Sequence, residues 1–385
     1  MTPVARPNSD VSADPVDVAV NLLWCVPGEV GGSEQYLVRQ LLGLASQPGR
    51  FTPTLFALGS FVDAHPELSA QYPMVAADIS GASRPRRILA EHTWLRRRTA
   101  GADVVHHGGG TAPLVGRRPI VLTIHDLQYL THPEYLTANK RRYLERSIPQ
   151  SVARAAVVAV PTEYVRTTVI DAYGTDPDRV VVVPHGVEPT LGDAAPTVAA
   201  LRATYGLGDG PFVVYPAITH PHKNHRFLLE LMARHWTDPD IRLVLPGGQG
   251  AAEADVVADI ARLGLGSRVV RPGRVSDADR DGLVAHAAAL AFPSEYEGFG
   301  APAVEAMALG APVICSTQPA LADVVGDAGI LLPLELDAWA DALDVAASRS
   351  HELRAAGRRR AAAFTIERSG AALAAAYDLA VQVGR

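Results

Sequence analysis

Two glutamates eight positions apart, Glu297 and Glu305, lie in AALAFPSEYEGFGAPAVEAMALGAPVICSTQP, the stretch from Ala288 to Pro319. The apolar run into Phe292 and Pro293 predicts a strand. A polar loop then carries Glu297 and Gly298-Phe299-Gly300, and Ala301 to Leu309 predicts a helix, opened by Pro302 and stopped by Gly310. An ionised glutamate only accepts hydrogen bonds, so each can take up a pair of adjacent hydroxyls, while the free amides of a helix start attract phosphate. A nucleotide sugar offers two such diols, one on its ribose and one on its hexose, with a pyrophosphate between them. Two glutamates at this spacing are by themselves more often solvated side chains. The flanking strand and the GFGAP turn, whose glycines let backbone approach a ligand, favour a site.

Other residues could serve the same ligand. Open α/β sheets bind beyond the carboxyl ends of their strands. There, His125-Asp126 follows Val121-Leu122-Thr123-Ile124, so His125 can donate a hydrogen bond to a sugar hydroxyl and Asp126 can orient the ring or position the acceptor. Lys223, in Ile218-Thr219-His220-Pro221-His222-Lys223-Asn224-His225, supplies a cation. The departure of a nucleoside diphosphate builds negative charge, and a fixed ammonium stabilises that state more than the ground state. Gly31 and Gly32, between a first strand (Val16 to Trp24) and a helix from Glu34 to Ala45 with Ser33 as N-cap, would let amides reach a phosphate. This turn is not the dinucleotide fingerprint, because no glycine stands two residues before Gly31.

Glu297-Gly298-Phe299-Gly300 with Glu305, Ala306, Met307 and Gly310-Ala311-Pro312-Val313-Ile314 resembles the signature of the retaining family 4 glycosyltransferases, which have the GT-B fold. The resemblance covers most of the chain from Val16 onward. It implies two doubly wound Rossmann-like α/β domains facing across a cleft: 16–190 for the acceptor and 191–367 for the nucleotide sugar. A terminal helix, 368–385, crosses back onto the first. It implies catalytic roles for His125, near the anomeric carbon, for Lys223 and for Glu297. Donor contacts are implied for Gly31, Gly32, Asp126, Gly247, Val275, Phe299, Gly300 and Glu305, with Glu305 on the ribose and a backbone group of Arg274 or Val275 reading the base. Val183-Pro184-His185-Gly186-Val187 resembles the family's inter-domain turn. One departure matters: members often carry an arginine five residues before the lysine, where this chain has Ile218.

The supporting elements follow from the periodicity. After residues 1–15, polar and proline-bearing and read as a disordered tail, strands are predicted at Phe51 to Ala57, Asp103 to His107, Pro119 to His125, Ala155 to Thr162 and Arg179 to Pro184. Pro184 to Pro211 reads as the inter-domain connection. A second series is predicted at Phe212 to Ala217, Ile241 to Leu245, Arg268 to Arg271, Ala288 to Pro293, Pro312 to Ser316 and Gly329 to Leu332. Helices are predicted at Ala338 to Ala347, Leu353 to Ala363 and Ala371 to Val383. A chain of 385 residues, 48% hydrophobic and 20% charged, fits two ordinary domains. Its net charge of −6, spread along the chain, argues against nucleic acid. Cys25 and Cys315 read as buried thiols of a reducing compartment. Without a membrane-length apolar run or a signal-peptide core, the default location is cytoplasmic, with peripheral contact at the inner membrane face left open. That contact would fall on Arg84 to Arg98, six arginines with one glutamate, which could also hold a phosphorylated acceptor. The blander reading, a solvated helix turning Ile88, Leu89, His92 and Leu95 to the core, is favoured.

The resemblance thus implies transfer of a hexosyl group, with retention, from a nucleoside-diphosphate sugar to a saccharide, lipid-linked or small-molecule acceptor, and Pro221-His222-Lys223-Asn224-His225, which resembles bacterial mannosyl and related hexosyl transferases, gives a mild lean to GDP-mannose. No cofactor is expected and no metal, since Lys223 provides the charge. His220, His222 and His225 lack a neighbouring cysteine or carboxylate, and Asp176-Asp178, Asp238-Asp240 and Asp277-Asp279 fit turns or helix starts. The rival readings are a sugar-nucleotide epimerase on the same fold, a non-catalytic sugar-nucleotide sensor and a dehydrogenase.

Overall fold

The computed structural model describes residues 14–47, 49–116 and 119–384. The predicted tail therefore lies almost wholly outside the described residues. Among the described residues, short runs rich in valine, isoleucine, leucine and alanine form thirteen strands in two all-parallel sheets. The first sheet has the order β3-β2-β1-β4-β5-β6-β7. It comprises β1 (Val16–Asn21), β2 (Phe51–Leu58), β3 (Met74–Ala77), β4 (Val104–His107), β5 (Ile120–Thr123), β6 (Val157–Val160) and β7 (Val180–Val182). The second has the order β10-β9-β8-β11-β12-β13. Its strands are β8 (Phe212–Val214), β9 (Arg242–Pro246), β10 (Val269–Gly273), β11 (Ala289–Phe292), β12 (Val313–Ser316) and β13 (Ile330–Leu332). Every residue of β4, β5, β6, β11 and β12 is buried, as expected of parallel strands covered by helices on both faces.

Each sheet has its own core. Trp339, Phe212 and Met232 anchor the second. The first is completed by the terminal helix, Ile366–Gly384, which contributes Leu373 and Tyr377. This helix crosses back onto the Gly32–Ala45 helix at a glycine contact: a Cβ on Gly370 would stand 2.1 Å from the carbonyl carbon of Gly43. Tyr377 there meets buried His106 at 2.9 Å. Where the chain leaves and re-enters the first half, the two strands of the crossing lie side by side. The Val187 amide donates to the Phe364 carbonyl at 2.8 Å, and a Cβ on Gly186 would sit 2.5 Å from the Ile366 Cα. The glycine of the Val183 to Val187 turn is required by that approach.

Several expectations are corrected. The Pro184 to Pro211 connection contains a helix, Val198–Tyr205, capped by Thr197 and closed by left-handed Gly206. Ser33 is not the N-cap: the helix starts at Gly32, with Gly31 at φ 64° before it. The first strand ends at Asn21 rather than Trp24. Strand β3 went unpredicted because it is a four-residue edge strand with a single buried residue, so its sequence carries little alternation. The basic stretch is helical throughout but widens into a π-helix at Glu91–Leu95. Glu91 and Leu95, four positions apart, share the buried face, whereas Leu89 points about a third of a turn away from it and is 63% exposed.

Candidate active site

The carboxyl ends of both sheets face one cleft, and two adjoining cavities occupy it. The larger, about 370 Å³, is lined by His125, Asp126, Lys223, Glu297, Phe299 and Gly300, and also by Gly31 and Gly32. The other, about 330 Å³, is lined by Gly247, Gly248, Arg274 and Val275. Both share Gly31, Pro216, Ala217 and Ile218, so they form one continuous depression. Ten of the eleven residues singled out in the sequence therefore line it. Glu305 is the exception. It lies in the Ala301–Leu309 helix, and its Oε1 accepts a 2.7 Å hydrogen bond from Arg39, which reaches across from the first half and also holds Glu188 at 2.8 Å. Burial opposes ionisation of Glu305, but the Arg39 and Arg280 guanidinium groups outweigh it and hold the carboxyl below its usual range.

The Lys223 ammonium donates to Glu297 Oε1 at 2.6 Å. Its backbone is fixed by a short 3₁₀ turn, Pro221–Lys223, followed by Asn224 in the left-handed region, a conformation asparagine tolerates. Tyr215, buried in the second core, donates its hydroxyl proton to the Lys223 carbonyl at 3.1 Å. On the opposite loop, Gln318 donates to the Glu297 carbonyl at 3.1 Å, and Ser316 donates to the Ser294 carbonyl at 2.6 Å. The ion pair thus sits between two rigid backbones, as a preorganised site requires.

Across the cleft, the His125 Nε2 proton goes to the Gly108 carbonyl at 2.8 Å. Burial pushes the ring's pKa down to about 4, so at neutral pH the imidazole is uncharged and its Nδ1 is an acceptor. The predicted donation from His125 to a sugar hydroxyl is corrected accordingly: the ring's one proton is already used. Asp126 accepts from the Gln128 amide at 2.9 Å, and burial together with nearby Glu297 raises its pKa. The halves touch through Gly298, where a Cβ would lie 2.1 Å from the His125 carbonyl oxygen. The Gly298 carbonyl accepts from Thr162 at 3.0 Å, and the Leu127 amide donates to Tyr296 at 3.1 Å. His185 stacks on Phe299 with centroids 4.4 Å apart.

Gly31 faces Ile218: a Cβ there would reach the isoleucine Cδ1 at 3.9 Å. The aliphatic chain therefore occupies the place of the missing arginine. Cations do line the adjoining cavity, namely Arg274, whose guanidinium donates to the Gly28 carbonyl, and Arg280. Sequence reading considered Arg274 only for its backbone and passed over Arg39 and Arg280. Arg39 carried one signal, a charge next to Leu37, Val38 and Leu41 on a helix whose neighbours are buried. His220 and His222 stack at 5.8 Å and His225 is buried beside Tyr215. Among the described residues no group of three or more His, Cys, Asp or Glu could hold a metal ion.

Comparison with known proteins decides what this arrangement belongs to. Residues 199–362 match the model for glycosyl transferases group 1, and residues 30–191 match the model for glycosyltransferase family 4. The chain belongs to the family 4 type glycosyltransferases. It is 31% identical over 241 residues to the O-antigen chain mannosyltransferase B of Escherichia coli, covering 61% of this chain and 63% of that protein. It is 32% identical over 279 residues to the D-inositol 3-phosphate glycosyltransferase of Mycobacterium tuberculosis, covering 68% of this chain and 57% of that protein. This family 4 chain thus matches roughly three-fifths of the length of these curated relatives. Among solved structures, Anabaena Alr3699/HepE in complex with UDP and glucose superimposes with a TM-score of 0.74 at 20% identity, covering 94% of this chain and 99% of that one. Sucrose-phosphate synthase of Thermosynechococcus elongatus gives 0.73 at 20% identity over 94% and 98%. These likenesses establish the GT-B fold of this family 4 chain.

Proposed function

We propose that the chain transfers a hexosyl group from a nucleoside-diphosphate sugar to an acceptor hydroxyl with retention of configuration. The observation that carries this reading is the Lys223–Glu297 pair, 2.6 Å apart on the cavity between the two sheets. An ammonium has three protons and Glu297 engages one, leaving two for a β-phosphate whose charge grows as the bond to the sugar breaks. The second carboxylate oxygen of Glu297 accepts sugar hydroxyls, with the Phe299 and Gly300 backbone beside it. Gly31 and Gly32 bring amides to the diphosphate, and the cavity lined by Gly247 and Val275 takes the base. Neutral His125 accepts from the sugar near the anomeric carbon, and Asp126 positions the acceptor. The acceptor hydroxyl attacks from the leaving-group side and its proton passes to the departing phosphate. No metal or other cofactor takes part. Glu305 reaches the ribose only where Arg39 shares or releases it.

GDP-mannose is the first donor to try, because one relative is a mannosyltransferase. UDP-sugars come next, because the neighbour Alr3699/HepE was solved with UDP-glucose. A thermal-shift screen of GDP-, UDP- and dTDP-sugars is expected to raise the melting temperature with one base only. Lys223→Ala and Glu297→Ala should each then lower turnover by roughly a hundredfold or more without lowering the melting temperature of the free protein. Turnover unchanged in both variants would refute the assignment. Solvent deuterium entering the donor sugar without an acceptor would instead favour epimerisation.

A further inference from the structure

A third cavity, about 390 Å³, lies wholly within the first half and opens on the cleft. It shares Val30, Ser33, His125, Asp126 and Gln128 with the larger cleft cavity, so one end adjoins the sugar-transfer position. Its remaining walls include Arg84, Arg87, Lys140 and Tyr143, none of which lines the cleft. These come from the helical segment Arg84 to Arg98 and from the Ala138–Arg154 helix. The two together carry eleven lysines and arginines against two glutamates, in a chain of net charge −6.

The cations at the far end feel the charges of Glu91 and Asp126 but are not locked into ion pairs with them. Arg84 lies over the Tyr143 ring, 4.6 Å from its centroid, and neither Arg84 nor Lys140 has a carboxylate partner among the described residues. Arg87 donates to the Trp24 carbonyl at 2.8 Å, yet its Nε and the Trp24 Nε1 are buried donors without an acceptor. Of the two carboxylates lining the cavity, Glu91 accepts from Asn21 at 3.0 Å, and burial raises its pKa. Asp126 belongs to the opposite, cleft end. Burial first, and then the charge of Arg84, push the Lys140 pKa down, while Asp126 pulls it back up. Lys140 and Arg141 moreover occupy the first turn of their helix, where the macrodipole disfavours cations. Unpaired donors and repelling charges around one cavity conflict with stability and mark a place built for a ligand.

We propose that this cavity binds the acceptor through a phosphate group, read by Arg84, Lys140 and Arg87, with the acceptor's reactive hydroxyl presented at the His125–Asp126 end. The proposal rests on the transferase reading above and names its acceptor class: a phosphorylated saccharide or polyol, either free or linked to a lipid through a diphosphate. Guanidinium and ammonium groups recognise phosphate by charge-assisted hydrogen bonds, each stronger than a neutral one. Tyr143 supplies a flat wall.

The test uses the full chain saturated with the nucleoside diphosphate that the donor screen selects. Calorimetric titrations then compare a set of hexose 6-phosphates, the matching free hexoses, inorganic phosphate and a polyprenyl-diphosphate sugar in detergent. At least one phosphorylated probe is expected to bind, with its free sugar binding roughly a hundredfold more weakly. The doubly substituted R84A/K140A protein should lose about tenfold to a hundredfold in affinity for that probe while its nucleotide affinity holds, and R84K/K140R should recover part of the loss. Binding of the hexose phosphates identifies a soluble acceptor, and binding of the polyprenyl compound alone identifies a lipid-linked one. Equal binding of sugar and sugar phosphate, wild-type affinity in R84A/K140A, or no phosphorylated probe bound by protein that does bind nucleotide would each overturn the proposal. If no nucleotide binds, the transferase reading fails on its own, and the same titrations without nucleotide still report on this cavity.

Discussion

At Gly298 no side chain fits. A methyl group there would stand 2.1 Å from the His125 carbonyl oxygen, which is backbone and has little freedom to move. Gly298→Ala should therefore push the halves apart and cost about 1–3 kcal/mol of the closed arrangement. The expected outcome is a larger radius of gyration by solution scattering and weakened donor binding, with the far-ultraviolet spectrum unchanged. An unaltered scattering curve would show that the contact does not hold the cleft closed. Residue types and spacing made Glu297, Lys223 and the glycines legible in the sequence, since each stands just past an apolar strand. Two details were not legible at this scale. Which nitrogen of His125 bears the proton depends on Gly108, seventeen residues away. The partner of Glu305 depends on Arg39, which is separated from it by 266 positions.

Among the elements, the Ile366–Gly384 helix ties the end of the chain to its beginning. It lies so close to the Gly32–Ala45 helix that Cβ atoms on Gly43 or Gly370 would overlap backbone, and Gly31, at the start of the latter helix, lines the cleft. Gly370→Ala should force the helices apart and destabilise the protein by about 1–3 kcal/mol or more, read as a lower denaturation midpoint in urea. Because the Gly32–Ala45 helix would shift with it, nucleotide affinity should fall as well; a midpoint equal to wild type would contradict the packing described. The helix itself was evident from its apolar face. Its partner was not, because helix periodicity reports which side is buried and not against what. The π-helix at Glu91–Leu95 was hidden for a related reason: a single widened turn leaves no period of its own in the sequence.

For the molecule as a whole, three buried histidines of the first half, His106, His107 and His125, oppose folding in acid, against buried His65, whose pKa is raised by Glu34 and Glu67. Burial lowers the pKa of His106 and His107 to about 3 and of His125 to about 4, against an unfolded value of 6.5. The unfolded chain therefore binds more protons than the folded one as pH falls below 6.5. Each group then removes on the order of 1 kcal/mol of stability per pH unit down to its folded pKa. Glu305 is lowered instead, so its contribution is present above the ordinary carboxylate range and is lost only below it. Urea denaturation should accordingly show stability falling between pH 6.5 and pH 5, the range in which these rings take up protons in the unfolded chain. Equal stability at the two values would mean that these rings are not held neutral.

The alternation of apolar runs with amphipathic stretches determined the two parallel sheets and the placing of loops at their carboxyl ends, because strand and helix periods are local properties of the chain. The same locality made Glu297, Lys223, His125 and the glycine turns recognisable as chemistry past strand ends. Only the tertiary structure decided how the halves meet: Gly298 on His125, Arg39 on Glu305, Arg274 on Gly28, and a cation-lined cavity between helices more than forty residues apart. Such pairings arise from packing between segments distant in sequence, where no period links one partner to the other.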